Sequence, residues 1–121
     1  MNQITDSELE VMKVLWNNGK CTSSKIVETL TQSTDWKPKT IQTLITRLVS
    51  KEAINVDKTN KKSYIYSANI TEDEYKTYAN DSFLKKLYNG SINMMLSSFI
   101  KEKKLSKDDI NDLKKLLEED N

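Results

Sequence analysis

Lys39, Thr40, Gln42, Thr43, Thr46 and Arg47 crowd one side of "KPKTIQTLITRLVSKEAI", residues 37–54, the stretch that holds the only Pro and the only Arg of the chain. Ile41, Leu44, Ile45 and Leu48 recur there at i, i+3, i+4, i+7, the stripe a helix turns toward a core. Pro38 stands where a first-turn proline belongs, and together they predict a helix over roughly 38–51. Its polar face carries hydroxyls, an amide and cations, and no acid occurs from 37 to 51. The major groove of B-DNA accepts one α-helix and presents amide, carbonyl and methyl groups on its base edges. Gln suits adenine, Arg suits guanine or phosphate, and Thr suits a thymine methyl or a phosphate. A carboxylate on this face would be repelled by the backbone. Threonine-rich faces also occur on helices that bind nothing, so the neighbouring elements have to decide.

Downstream, "AINVDKTNKKSYIYSA", residues 53–68, abandons the helical period. Ile54 and Val56, then Tyr64, Ile65 and Tyr66, are strand formers around a polar run, Asp57–Ser63. That pattern predicts a β-hairpin whose tip carries Lys58, Lys61 and Lys62. The same lysines would also suit a merely solvated turn. Charge supports the first reading. The whole chain is nearly balanced at +1, but residues 37–62 hold 7 basic side chains against Glu52 and Asp57, a net of +5. A local basic patch matters more than total charge for a nucleic-acid site.

Two further helices must hold the acid-free one in place. Thr5 and Glu8 make a Thr-x-x-Glu capping box, and Leu9, Val11, Met12, Leu15 and Trp16 share one face, with Val14 off it. This predicts a helix over 6–18, stopped by Gly19. Thr22 or Ser23 caps the next, whose stripe is Ile26, Val27 and Leu30 and which fades near Thr31–Ser33. Trp16 is expected in the core, and Trp36 as a staple on the Pro38 helix. Helix, helix, helix, hairpin is the order of a winged helix-turn-helix.

Past residue 70 the charge changes sign: 1–70 carries 10 Lys/Arg against 7 Asp/Glu, and 71–121 carries 9 against 11. Thr71 and Glu74 repeat the capping box ahead of a helix to about Tyr88, with Tyr75, Ala79, Phe83, Leu84, Leu87 and Tyr88 on its apolar side. Asn89-Gly90 ends it. A second helix carries Ile92, Met95, Leu96, Phe99 and Ile100, and a third, capped by Ser106, carries Ile110, Leu113, Leu116 and Leu117. So few residues bury too little apolar surface to fold well alone. A second copy is the simplest cover. The expected architecture is mainly α with a small β-hairpin wing, a winged-helix DNA-binding domain over 1–70 and a three-helix dimerisation domain over 71–121. The residues assigned to the dimer are Tyr75, Phe83, Leu87, Ile92, Met95, Leu96, Phe99, Ile110, Leu113, Leu116 and Leu117.

Composition narrows the alternatives. One Cys and no His leave no disulfide framework and no conventional His/Cys metal site, so no metal and no cofactor are expected. No apolar run is long enough to span a bilayer, and no leader opens the chain, which reads as a soluble cytoplasmic protein. An enzyme would need a nucleophile with a base or paired acids in a cleft; Cys21 has no visible base partner, and Asp108-Asp109 sit at a helix start. A protein-binding adaptor remains the competing reading, separable from DNA binding by salt dependence.

"ELEVMKVLW", "DWKPKTIQTLITRLVSKEAI", "SYIYSA", "FLKKLYNGSINMML" and "LSKDDINDLKKLL" together resemble the penicillinase-repressor (BlaI/MecI) family, winged-helix repressors of β-lactam resistance genes, across nearly the whole chain. The resemblance implies a homodimer on a palindromic double-stranded operator, with TACA/TGTA-type half-sites. It places Lys39, Thr40, Gln42, Thr43, Thr46 and Arg47 at the recognition-helix contacts, with Gln42 where members often have Arg. It also implies relief of repression by cleavage in the dimerisation region, signalled by a membrane β-lactam sensor protease. The family's cut Asn-Phe bond corresponds here to Ser98-Phe99. The Cys-x-Cys motifs of a copper-responsive branch do not occur.

Overall fold

The computed structural model describes residues 3–119. Its elements run α1 (Asp6–Asn18), β1 (Cys21–Thr22), α2 (Ser23–Ser33), α3 (Pro38–Ser50), β2 (Ile54–Asp57), β3 (Ile65–Ala68), α4 (Glu72–Tyr88), α5 (Ile92–Lys101) and α6 (Lys107–Glu119). They divide into two compact units, Met1–Tyr75 and Lys76–Asn121.

In the first unit, Thr5 caps α1 in both directions. Its Oγ1 accepts the Glu8 N–H at 3.2 Å, and its own N–H donates to Glu8 Oε1 at 2.9 Å. The helix ends at Gly19, whose φ of 75° lies in the left-handed region and whose N–H donates to Leu15 O. Val11, Met12 and Leu15 are buried as their spacing predicts, and so is Val14. The expectation that Val14 lies off the buried face is corrected here. A helix packed against α2, α3 and β3 at once buries more than one stripe. Ile26 and Leu30 of α2 join Ile41, Leu44, Ile45 and Leu48 of α3 in the same core, closed by Ala53, Ile54 and Ile70. Trp36, just before the Lys37 cap of α3, packs against that core.

The hairpin is part of a three-stranded antiparallel sheet, ordered β1-β3-β2. Ile54 pairs with Ala68 and Val56 with Tyr66 across the hairpin, while Cys21 and Thr22 pair with Tyr66 and Ile65. The third strand, β1, has two residues, too few for any period. Thr22 serves it and also caps α2, its Oγ1 accepting the Lys25 N–H at 3.2 Å. α3 passes into β2 through Glu52, a non-glycine residue at φ 64°. Around it the Ala53 N–H donates to Leu48 O, which closes the helix end.

In the second unit each helix start is secured locally. Ser91 Oγ accepts the Met94 N–H at 3.1 Å, and Ser106 exchanges hydrogen bonds with Asp109 at 3.0 Å each way. Thr71 and Glu74 make the same exchange at the head of α4, within the first unit. Yet α4, α5 and α6 bury no described residue completely. No helix of the described residues is long and apolar enough to cross a membrane.

Candidate nucleic-acid interface

The acid-free face of α3 is exposed. Lys39, Thr40, Gln42, Thr43, Thr46 and Arg47 all face solvent, while the residues between them fill the core. The sharpness of this division follows from the sequence, because Ile41, Leu44, Ile45 and Leu48 anchor one side at every turn. The start of α3 has no side-chain cap. First-turn N–H groups of this kind attract anions, phosphate among them. The hydroxyls divide into two kinds. Thr43 Oγ1 donates to Lys39 O and Thr46 Oγ1 to Gln42 O, each at 3.0 Å. Thr40 makes no such bond.

The wing stands beside this helix. Ile45, Thr46 and Val49 of α3 and Val56, Lys58, Tyr64 and Tyr66 of the hairpin line a shallow cleft of about 170 Å³. Lys58 Nζ lies over the Tyr64 ring, 5.8 Å from its centroid, so an exposed lysine is held at the edge of the α3 face. The Thr59 hydroxyl and N–H both donate to the Asp57 carboxylate and hold it below the usual carboxylate range. Lys61 and Lys62 are exposed at the hairpin tip, where they line a second, polar cleft with Thr22, Ser23 and Ser24 from the start of α2. Sequence reasoning does not find these three hydroxyl residues. Locally Thr22 and Ser23 read only as helix caps, because the pairing of β1 with β3 is what brings the start of α2 to the wing.

A buried ion pair fixes the base of the unit. Glu8 is 1% exposed, and Lys51 Nζ donates both to its carboxylate and, at 2.8 Å, to Gln3 O. Burial alone would raise the Glu8 pKa. The Lys51 hydrogen bond and charge, with Thr5's two hydrogen bonds, outweigh it and hold the carboxyl below its ordinary value. Cys21 is half-buried, and burial raises its thiol against a smaller opposing pull from Lys25. Among the described residues no group of three or more Cys, Asp or Glu side chains could hold a metal.

The residues assigned to the dimer fall in two places. Tyr75 belongs to the first unit, where its ring lies 5.7 Å from Trp16, and the Trp16 indole N–H donates to Ile70 O at 2.9 Å. The others lie in the second unit. Met95, Leu96, Phe99 and Ile110 are half-buried, and Phe83, Leu87, Ile92, Leu113, Leu116 and Leu117 are exposed. Leu87 is 62% and Leu117 67% exposed. Ser98 and Phe99 sit within α5, both half-buried, with Ser98 Oγ accepting from the Tyr88 hydroxyl at 3.4 Å and Lys104 over the Phe99 ring.

Residues 4–119 match the family model described as penicillinase repressor. The chain belongs to the penicillinase repressor family. It is 40% identical over 117 residues to the penicillinase repressor of Bacillus licheniformis, covering 97% of this chain and 91% of that protein. It is 36% identical over 115 residues to the methicillin resistance regulatory protein MecI of Staphylococcus aureus strain N315, covering 95% and 93%. The DNA-binding domain of the repressor BlaI, solved in solution, superposes with a TM-score of 0.54 at 38% identity, over 62% of this chain and 94% of that one. Bacillus licheniformis BlaI, solved as a monomeric form in complex with the blaP half-operator, superposes with a TM-score of 0.54 at 40% identity, over 61% and 89%. The winged-helix fold expected from the sequence is therefore the fold of this family.

Proposed function

We propose that this chain is a sequence-specific DNA-binding transcriptional repressor of β-lactam resistance genes, not an enzyme, acting in the cytoplasm as a homodimer on a dyad operator. The observation that carries the reading is the acid-free, exposed face of α3 set beside a lysine-bearing wing. The family relative bound to its half-operator supports it. α3 enters the major groove, with Gln42 and Arg47 reaching base edges or phosphate. Lys39, Thr40, Thr43 and Thr46 complete the helix face. Lys58, Lys61 and Lys62 meet the backbone, fixing register without reading sequence.

Residues 1–70 form the DNA-binding domain and 71–121 the dimerisation domain, joined through the first turn of α4. The apolar stripes of α5 and α6, which bury nothing fully, require cover, and a second copy supplies it through Phe83, Leu87, Ile92, Met95, Leu96, Phe99, Ile110, Leu113, Leu116 and Leu117. Tyr75, assigned to the same set, packs on Trp16. Repression is relieved by cleavage at Ser98-Phe99, signalled by a membrane β-lactam sensor protease. Because that bond lies within α5, the helix must open before a protease can accept it as an extended strand.

Hydroxyl-radical footprinting on a fragment with a TACA/TGTA dyad tests this reading. Two protected patches on one face of the duplex, one helical turn or a multiple apart, are the expected result. A single patch refutes the dimer, and uniform weak protection refutes the operator.

A further inference from the structure

Threonine offers a duplex two different things, a hydroxyl that can donate to a phosphate and a methyl that can pack on a thymine methyl. A hydroxyl has one proton. In Thr43 and Thr46 that proton is already committed, to the carbonyls of Lys39 and Gln42 one turn back, each at 3.0 Å. Such i−4 bonds are an ordinary alternative for threonine within a helix. To donate to a phosphate, each side chain would have to break its bond and change rotamer, and β-branching makes χ1 stiff. What each leaves uncommitted is its methyl group and the acceptor lone pairs of its oxygen, and a phosphate, which has no proton to give, can hydrogen-bond to neither. Thr46 in addition lines the cleft whose walls include Ile45, Val49 and Val56. Thr40, on the same face, has no hydrogen bond of this kind and keeps its proton.

We infer that Thr43 and Thr46 read thymine through their methyl groups and do not hold phosphates, the hydroxyl-to-phosphate role on this helix falling to Thr40. This rests on the operator reading above and makes it more specific: the half-site must present thymine 5-methyls to the middle of α3. Removing one methyl from the interface is worth about fourfold in affinity, taken from the transfer value per buried carbon. Over two half-sites the effect is at least roughly tenfold.

The test uses the full chain and four duplexes: a TACA/TGTA dyad, the same dyad with uracil in place of every half-site thymine, and a scrambled version of each. The variants are T43V/T46V and T43S/T46S, both first checked for wild-type melting. Valine keeps the methyl and the branching, and serine keeps only the hydroxyl. On the thymine dyad the valine variant is expected within about twofold of wild type, and the serine variant at least roughly tenfold weaker. Uracil should weaken wild type by that same factor and leave the serine variant no weaker than it already is. A valine variant that fails while the serine variant binds normally overturns the inference, because the hydroxyl is then the working group. So does a wild-type chain that prefers the dyad to its scramble yet is indifferent to uracil; that result spares the operator reading. Equal binding to dyad and scramble refutes the operator reading and this inference with it.

Discussion

Lys51→Met should destabilise the first unit by about 2–3 kcal/mol, because it strands a buried carboxylate. The Glu8 side chain is 1% exposed and that of Lys51 28%. Breaking a fully buried pair from one side costs about 3–5 kcal/mol. Here Glu8 retains the Thr5 N–H, and the lysine end is reached by water, so the cost falls just below that range, at about 2–3 kcal/mol. A unit of this size has only some 4–11 kcal/mol in all, so the loss is large. Trp16 and Trp36 are the only tryptophans and both lie in the first unit, so urea unfolding followed by tryptophan fluorescence reports on the right part of the chain. Adding Glu8→Gln to Lys51→Met should recover part of the loss, since no charge is then left uncompensated. The pH dependence has a definite sign. Glu8 is held below its ordinary value of 4.5, so the pair's contribution is complete above that value and fades as pH falls through the lower folded-state value. The gap between wild type and Lys51→Met should narrow as pH falls, first as the stranded carboxyl, no longer held down by Lys51, is protonated, and then through the wild-type window. A Lys51→Met variant within about 0.5 kcal/mol of wild type at neutral pH, or a gap that widens in acid, would refute the reasoning.

Three other outcomes follow from the same structure. Glu52 holds a left-handed φ of 64° at the end of α3, so Glu52→Gly should stabilise the unit by about 0.5–1 kcal/mol in the same urea assay. If the chain dimerises as proposed, Leu113→Glu with Leu116→Glu on α6 should leave only monomer in analytical ultracentrifugation, with the tryptophan signal of the first unit unchanged; a dimer that survives both changes would move the interface elsewhere. Replacing Lys58, Lys61 and Lys62 with Ala should weaken dyad and scrambled duplex alike. The same change should flatten the plot of log affinity against log salt by about one for each phosphate no longer neutralised.

The parts of this fold that could be read from sequence are those where one face alone decides the pattern. Ile41, Leu44, Ile45 and Leu48 announce α3 because one side of that helix meets the core and the other meets solvent. Val14 escapes the same logic, since α1 is packed by three elements and no single stripe describes it. β1 is invisible because two residues have no period, and Thr22 reads as a helix cap whether or not it also pairs with Ile65. Glu8 looks like the outer half of a capping box; its pairing with Lys51, forty-three positions away, is a product of tertiary packing. Tyr75 shows the limit of amphipathic reasoning most clearly. Its spacing says that it needs cover and groups it with Phe83 and Leu87, but only the structure shows that Trp16 supplies the cover. At the interface the residue types on α3 were legible, but the commitment of the Thr43 and Thr46 protons was not, because it depends on a rotamer.

A fluorescence anisotropy titration of the full chain tests whether α3 and the wing bind a DNA dyad. The probes are a labelled TACA/TGTA dyad and its scrambled counterpart, each at about 50 and about 200 mM salt. Tight binding to the dyad, much weaker binding to the scramble, and a loss of affinity for both with added salt are expected, as counterions are no longer released so favourably. Failure to bind either duplex, or binding that ignores both sequence and salt, would contradict dyad binding by α3 and the wing.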